Sequence, residues 1–202
     1  MDMEAARTAM VDTQVRPNDV TDRNLIAAMM LTPREKFLPK ELEAIAYAEK
    51  PLETSPGRWM WAARDLGKLI EETEVEKGER VLVVAAGSGY AAAVLAAMGA
   101  SVVALEDDEE RVAQLSAQFA DASDVTVAKG DLKTLSGVDG LLRASRHGFS
   151  DRSSALVSEV GQRVREDERS HGDTVVVTAR GHLVHGEVKG FHLEVPGGQT
   201  PL

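Results

Sequence analysis

The stretch "VLVVAAGSGYAAAVLAAMGASVVALEDDEE", residues 81–110, decides the fold. It begins inside "GERVLVVAA", a short apolar run of the kind that forms a strand buried on both faces of a parallel sheet. Gly87-Ser88-Gly89 breaks the run, and "YAAAVLAAMG" reads as a helix closed by Gly99. "SVVALE" is a second strand, "DDEERVAQLSAQFA" a second helix with acids in its first turn, and "VTVAKGD" a third strand. This alternation predicts an α/β fold with a doubly wound, Rossmann-like sheet.

The turn between the first strand and its helix carries the candidate site. Glycine at Gly87 and Gly89 lets the backbone turn sharply and approach a ligand without a Cβ in the way. Free N–H groups at a helix start favour a negative or polar ligand group. Glu106 closes the second strand, at about the spacing where an acid accepts hydrogen bonds from ribose hydroxyls. Asp131, after the third strand, falls where a polar residue contacts adenine in such sheets. The bland alternative is a tight turn followed by a helix N-terminal acid; the ordered set favours a cofactor. "GSGYAA" also satisfies the loose dinucleotide fingerprint, so NAD(P) stands as a rival. Against it, about 78 residues precede the first strand, whereas a dinucleotide domain often begins with it.

Composition narrows the partners. At 202 residues the chain is one domain, or one with a modest appendage. A formal charge of -10 argues against sequence-independent nucleic-acid binding and against anionic membranes. There is no cysteine, which excludes disulfides, thiolate metal sites and cysteine nucleophiles. No apolar run approaches the roughly 20 residues of a membrane helix, and the N-terminus does not read as a secretory signal. A cytoplasmic protein is the expectation.

The flanks divide the chain into three parts. Residues 1–77 form an N-terminal helical extension packed on the core, residues 78–131 the cofactor-binding core, and residues 132–202 a divergent C-terminal region. In the first part, Thr21 or Asp22 caps a helix carrying Leu25, Ile26, Met29 and Met30, and Pro33 and Pro39 each start a further turn. Residues 51–61, "PLETSPGRWMW", read as a loop, followed by a helix with Ala63, Leu66, Leu69 and Ile70 on one face. The last part holds one candidate helix, "SSALVSEVGQRVRE", and a β-like run from Asp173.

The residues before the first strand resemble a specific family. In "MVDTQVRPNDVTDRNLIAAMMLTPREKFLPKELEAIAYAEKPLE", residues 10–53, Gln14, Asp22, Ala28-Met29, Pro33-Arg34-Glu35, Phe37, Pro39, Ala46-Tyr47 and Pro51-Leu52 fall in register with a signature of protein-L-isoaspartate O-methyltransferases. "AGSGYAAAVLA" resembles that family's glycine loop, and the likeness runs from about residue 10 to residue 131. It implies a class I methyltransferase sheet, S-adenosyl-L-methionine as cofactor, and methyl transfer to the carboxylate of isoaspartyl residues in damaged proteins. Ala85, Gly87, Ser88, Gly89 and Tyr90 would line the cofactor pocket, Glu106 would hold the ribose, and Asp131 would lie near the adenine. The acceptor carboxylate is ionised at neutral pH, so positioning and desolvation can supply most of the rate. No catalytic residue is assigned.

Three departures stand out. The family's loop opens with an acid two residues before its first glycine, and those positions here are Val83 and Ala85. Its "G-Q-T-I-S-Q-P" segment is "GRWMWAA", where Gly57 survives but Trp59 and Trp61 replace hydroxyl residues. These tryptophans either pack over the sheet edge or form a substrate-facing lid. "DTVVVTA", residues 173–179, resembles the family's fourth strand but comes about 40 residues late. Residues 132–172 are then an insertion before a truncated sheet, or the tail is a different structure or a shifted reading frame. His182 and His185 point to opposite faces if on a strand, and with His192 they do not suggest a shared metal site. Beside the methyltransferase stand two alternatives, a catalytically impaired member acting as a binding or regulatory protein and an NAD(P)-dependent oxidoreductase.

Overall fold

A computed structural model of the chain describes residues 2–56, 58–130, 175–178 and 183–185. The centre is the predicted alternation. β3 (Arg80–Val84), α4 (Tyr90–Ala97), β4 (Ser101–Glu106), α5 (Glu109–Gln118) and β5 (Val125–Lys129) follow one another. β3 pairs parallel with β4, Val81 opposite Val102, and β4 pairs parallel with β5, Val102 opposite Val125. Val81 to Val84 are all buried, which a strand covered on both faces requires. α4 is made of alanine and aliphatic residues and buries Ala91, Ala92, Val94 and Leu95. The small side chains let it lie close to the sheet.

Ahead of the sheet comes α1 (Met3–Met10), capped by Asp2, whose carboxylate accepts from the Glu4 and Ala5 N–H groups. The chain stays helical through a wider turn at Val11–Val15, which buries both valines, and a tight one at Arg16–Asn18. Of the two predicted caps for α2 (Arg23–Leu31), Asp22 accepts the Asn24 N–H at 2.7 Å. Thr21 instead donates its hydroxyl to Glu71 at 2.8 Å. Pro33 and Pro39 each precede a short 3₁₀ segment, Arg34–Phe37 and Lys40–Ile45. α3 (Ala63–Glu71) buries the predicted face of Ala63, Leu66, Leu69 and Ile70. These residues share one buried cluster with Val81, Val83, Tyr90 and Leu95, so the N-terminal segments and the sheet pack around a common core.

Two sequence readings are corrected. Residues 51–61 are not a loop: β1 (Leu52–Ser55) and β2 (Arg58–Met60) form an antiparallel hairpin, with Leu52 opposite Met60 and both buried. Two strands of four and three residues leave too little alternation to read, and Pro56 adds a loop signal of its own. The resemblance to a fourth strand holds for position but not for a parallel sheet. β6 (Val175–Thr178) lies beside β3 on the side away from β4, but runs antiparallel, Val81 opposite Thr178. β7 (Leu183–His185) pairs antiparallel with β6, giving the order β5-β4-β3-β6-β7. The candidate helix at residues 153–166, together with Gly57, Asp131, His182 and His192, lies outside the described residues. Among the described residues no helix is long and apolar enough to cross a membrane.

Candidate functional site

The turn after β3 is shaped by three consecutive odd-numbered residues with positive φ: Ala85 at 54°, Gly87 at 56° and Gly89 at 83°. Glycine takes this conformation freely; alanine does not. The two glycines serve different ends. A Cβ on Gly89 would meet Leu115 Cδ2 at 2.8 Å and Phe119 Cε2 at 2.9 Å, so close packing of α5 demands glycine there. A Cβ on Gly87 would find only the Ala85 carbonyl oxygen, at 3.7 Å. Gly87 therefore faces free space.

Glu106, at the end of β4, reaches back under this turn. Its Oε2 accepts the Gly87 N–H at 2.8 Å. Its Oε1 accepts from Arg58 Nη2 at 3.1 Å, and the same nitrogen is 3.1 Å from Asp107 Oδ1. Glu106 has no exposed surface. Burial pushes its carboxyl above the usual carboxylate range, opposed by the Arg58 cation and the Gly87 N–H, with Asp107 adding to the rise.

Beside the turn opens a cavity of about 600 Å³, large enough for a cofactor or a substrate side chain. Its walls are Lys36 to Pro39, the hairpin tip from Thr54 to Pro56, Gly87 and Ser88, and one face of α5 from Asp108 to Gln118. Arg111 donates to Ser55 Oγ at 2.8 Å and so ties the hairpin to α5. A second cavity, of about 20 Å³, lies among Trp59, Met60, Trp61, Tyr90 and the turn.

The predicted residues thus divide. Gly87, Ser88 and Glu106 come together, with Ser88 Oγ 3.4 Å from the Tyr90 N–H. Tyr90 is buried, its ring edge-on to Phe37 with centroids 5.5 Å apart. Ala85 is buried at the start of the turn. The two readings of the tryptophan segment also separate: Met60 and Trp61 are buried in the core, whereas Trp59 is 39% exposed. The Trp61 indole N–H is buried next to the turn with no hydrogen-bond partner among the described residues.

Sequence reasoning missed two arginines. Arg34 is fully buried, donates from Nε to the Ala46 carbonyl at 2.8 Å and from Nη2 to the Trp61 carbonyl, and lies over the Tyr90 ring. Its signal was its place in "PRE", between the half-buried Pro33 and Glu35. Arg58 had only the charge it brings to an otherwise apolar "GRWMW".

Residues 5–139 match the family model for protein-L-isoaspartate(D-aspartate) O-methyltransferase. A protein-L-isoaspartate O-methyltransferase of Methylorubrum populi is 44% identical over 103 residues, covering 51% of this chain and 49% of that protein. One from Methanoculleus marisnigri is 38% identical over 100 residues, covering 50% and 46%. The chain spans about half the length of the curated relatives it matches. A solved protein-L-isoaspartate O-methyltransferase superposes with a TM-score of 0.61 at 18% identity, over 95% of this chain and 66% of that one, a likeness of fold.

Proposed function

The chain belongs to the protein-L-isoaspartate(D-aspartate) O-methyltransferase family, and we propose that its glycine turn binds S-adenosyl-L-methionine for methyl transfer to isoaspartyl carboxylates in damaged proteins. The observation that carries this reading is the bond to Glu106 from the N–H of Gly87, a residue that lines the 600 Å³ cavity. It joins a turn with free space for a ligand to a strand-end acid able to accept ribose hydroxyls.

The residues present fit the cofactor at the turn. Gly87 leaves room for it, and the start of α4 turns backbone N–H groups toward it. Ala85, Ser88, Gly89 and Tyr90 shape that turn, and Glu106 is the ribose acceptor once its surface is freed. Asp131, outside the described residues, is assigned to the adenine by the same reading. The cofactor supplies an electrophilic methyl group on a sulfonium.

This chain's own residues would position and desolvate. The acceptor carboxylate is already ionised at neutral pH, so no general base is needed. Trp59 and Trp61, beside the turn, exclude water from the reacting groups. Lys36 and Arg111, on the cavity wall, offer charge to a peptide carrying the isoaspartyl residue. The cytoplasm is the setting we assign, in keeping with a chain that has no cysteine.

The test is calorimetric titration with S-adenosylhomocysteine, with NAD as control, followed by an isoaspartyl-peptide methylation assay. Micromolar binding with methyl incorporation is expected. Binding without turnover would make the chain a binding protein, and no binding in a folded sample would remove the cofactor reading.

A further inference from the structure

Glu106 is the candidate ribose acceptor, yet it has no exposed surface, and a ribose cannot reach a carboxylate that water cannot. Its two oxygens are already engaged. Oε2 holds the Gly87 N–H, and Oε1 accepts from Arg58 at 3.1 Å and from the Asp107 N–H at 3.4 Å. The two N–H groups belong to the backbone around the acid. Arg58 does not: it comes from β2, 48 residues away, and its side chain is 18% exposed. It is the cover that can leave.

We propose that Arg58 stands in for the cofactor's ribose on Glu106, so that Arg58 sets cofactor affinity and the hairpin Leu52–Met60 must shift when the cofactor enters. This rests on the reading of Glu106 as the ribose acceptor. One guanidinium nitrogen bridges Glu106 and Asp107, and a ribose would offer two hydroxyl donors to the same acceptors. The exchange therefore swaps donors without leaving a buried carboxylate bare. A displaced Arg58 keeps Asp107, whose side chain is 49% exposed, as a partner nearer solvent. Where the resemblance has glutamine, this chain carries a cation, and a charged donor holds a carboxylate more strongly than a neutral one.

Both tryptophans of the chain, Trp59 and Trp61, lie in or next to β2, so intrinsic emission reports on the hairpin. S-adenosylhomocysteine is titrated into the full wild-type chain, Arg58→Gln and Arg58→Lys. Calorimetry and tryptophan emission are read together. The expected result is roughly tenfold tighter binding by Arg58→Gln, with Arg58→Lys between it and wild type. Wild-type emission should change along the binding isotherm. Equal or weaker binding by Arg58→Gln, with wild type still binding, overturns the role of Arg58 and leaves the cofactor reading standing. Tighter binding with unchanged wild-type emission overturns the hairpin shift. No binding by any of three folded proteins overturns both readings.

Discussion

The guanidinium of Arg34 lies 5.0 Å from the centre of the Tyr90 ring, and neither residue has appreciable exposed surface. Tyr90 is the first residue of α4, so this contact fixes the helix that follows the glycine turn. Arg34 comes from the segment before the hairpin and bonds the carbonyls of Ala46 and Trp61. Through it the N-terminal segments, the hairpin exit and the turn are held as one unit. The signature that resembles the family so closely does architectural work here.

Arg34→Met should cost about 3 kcal/mol of stability. It leaves two carbonyls without their donor and removes a cation whose desolvation the ring face offsets. Burial pulls the Arg34 pKa below its usual value, but an arginine keeps its charge. Urea unfolding checks this. A loss under about 1 kcal/mol would mean that packing alone holds these segments together.

Ala85→Gly should stabilise the chain by about 1 kcal/mol. The backbone at Ala85 has φ 54°, which burdens any residue with a Cβ, and glycine relieves the burden at some cost in unfolded-state entropy. Comparison of denaturation midpoints at unchanged m-value checks it. No gain, or a loss, would show that packing of the Ala85 methyl outweighs the backbone.

The parallel core was legible because the signals were redundant. Val81–Val84 is continuously apolar, Gly87 and Gly99 mark both ends of the α4 unit, and Glu106 ends its strand abruptly. The hairpin was not, because Leu52 and Met60 are the only buried pair between its short strands. The glycine turn and its acid could be read from spacing. Arg58 could not, since its partner lies 48 residues away and no local pattern encodes that contact. Nor could sequence tell Gly87, which faces space, from Gly89, which faces α5.

That difference gives a paired prediction. Gly89→Ala should lose about 3 kcal/mol, because its Cβ would collide with Leu115 and Phe119 and φ is 83°. Gly87→Ala meets only a distant carbonyl and should lose about 1 kcal/mol from its φ of 56° alone. Its larger effect should fall on S-adenosylhomocysteine affinity, as the new methyl enters the free space proposed for the cofactor. Unfolding and calorimetry on the same two variants check both halves. Equal stability losses, or unchanged affinity in Gly87→Ala, would contradict the division.

Glu106 gives the turn a pH dependence whose sign is fixed by burial. A carboxyl raised on folding binds its proton more tightly in the native chain than in the unfolded one. Its contribution to stability is then complete below the unfolded value, 4.5, and is lost as pH rises through the higher folded value. Glu106→Gln cannot titrate. Arg58 also lies 3.1 Å from Asp107 in the wild type, so the cation has a second partner when Glu106 is replaced. Wild type should therefore lose stability relative to Glu106→Gln as pH rises from about 4.5, and the difference should level off above the folded value. Denaturant unfolding of both proteins across this range measures it. The opposite slope would mean that Arg58 and the Gly87 N–H outweigh burial and hold Glu106 as an anion. Arg58 would then be harder to displace, and its effect on cofactor affinity larger.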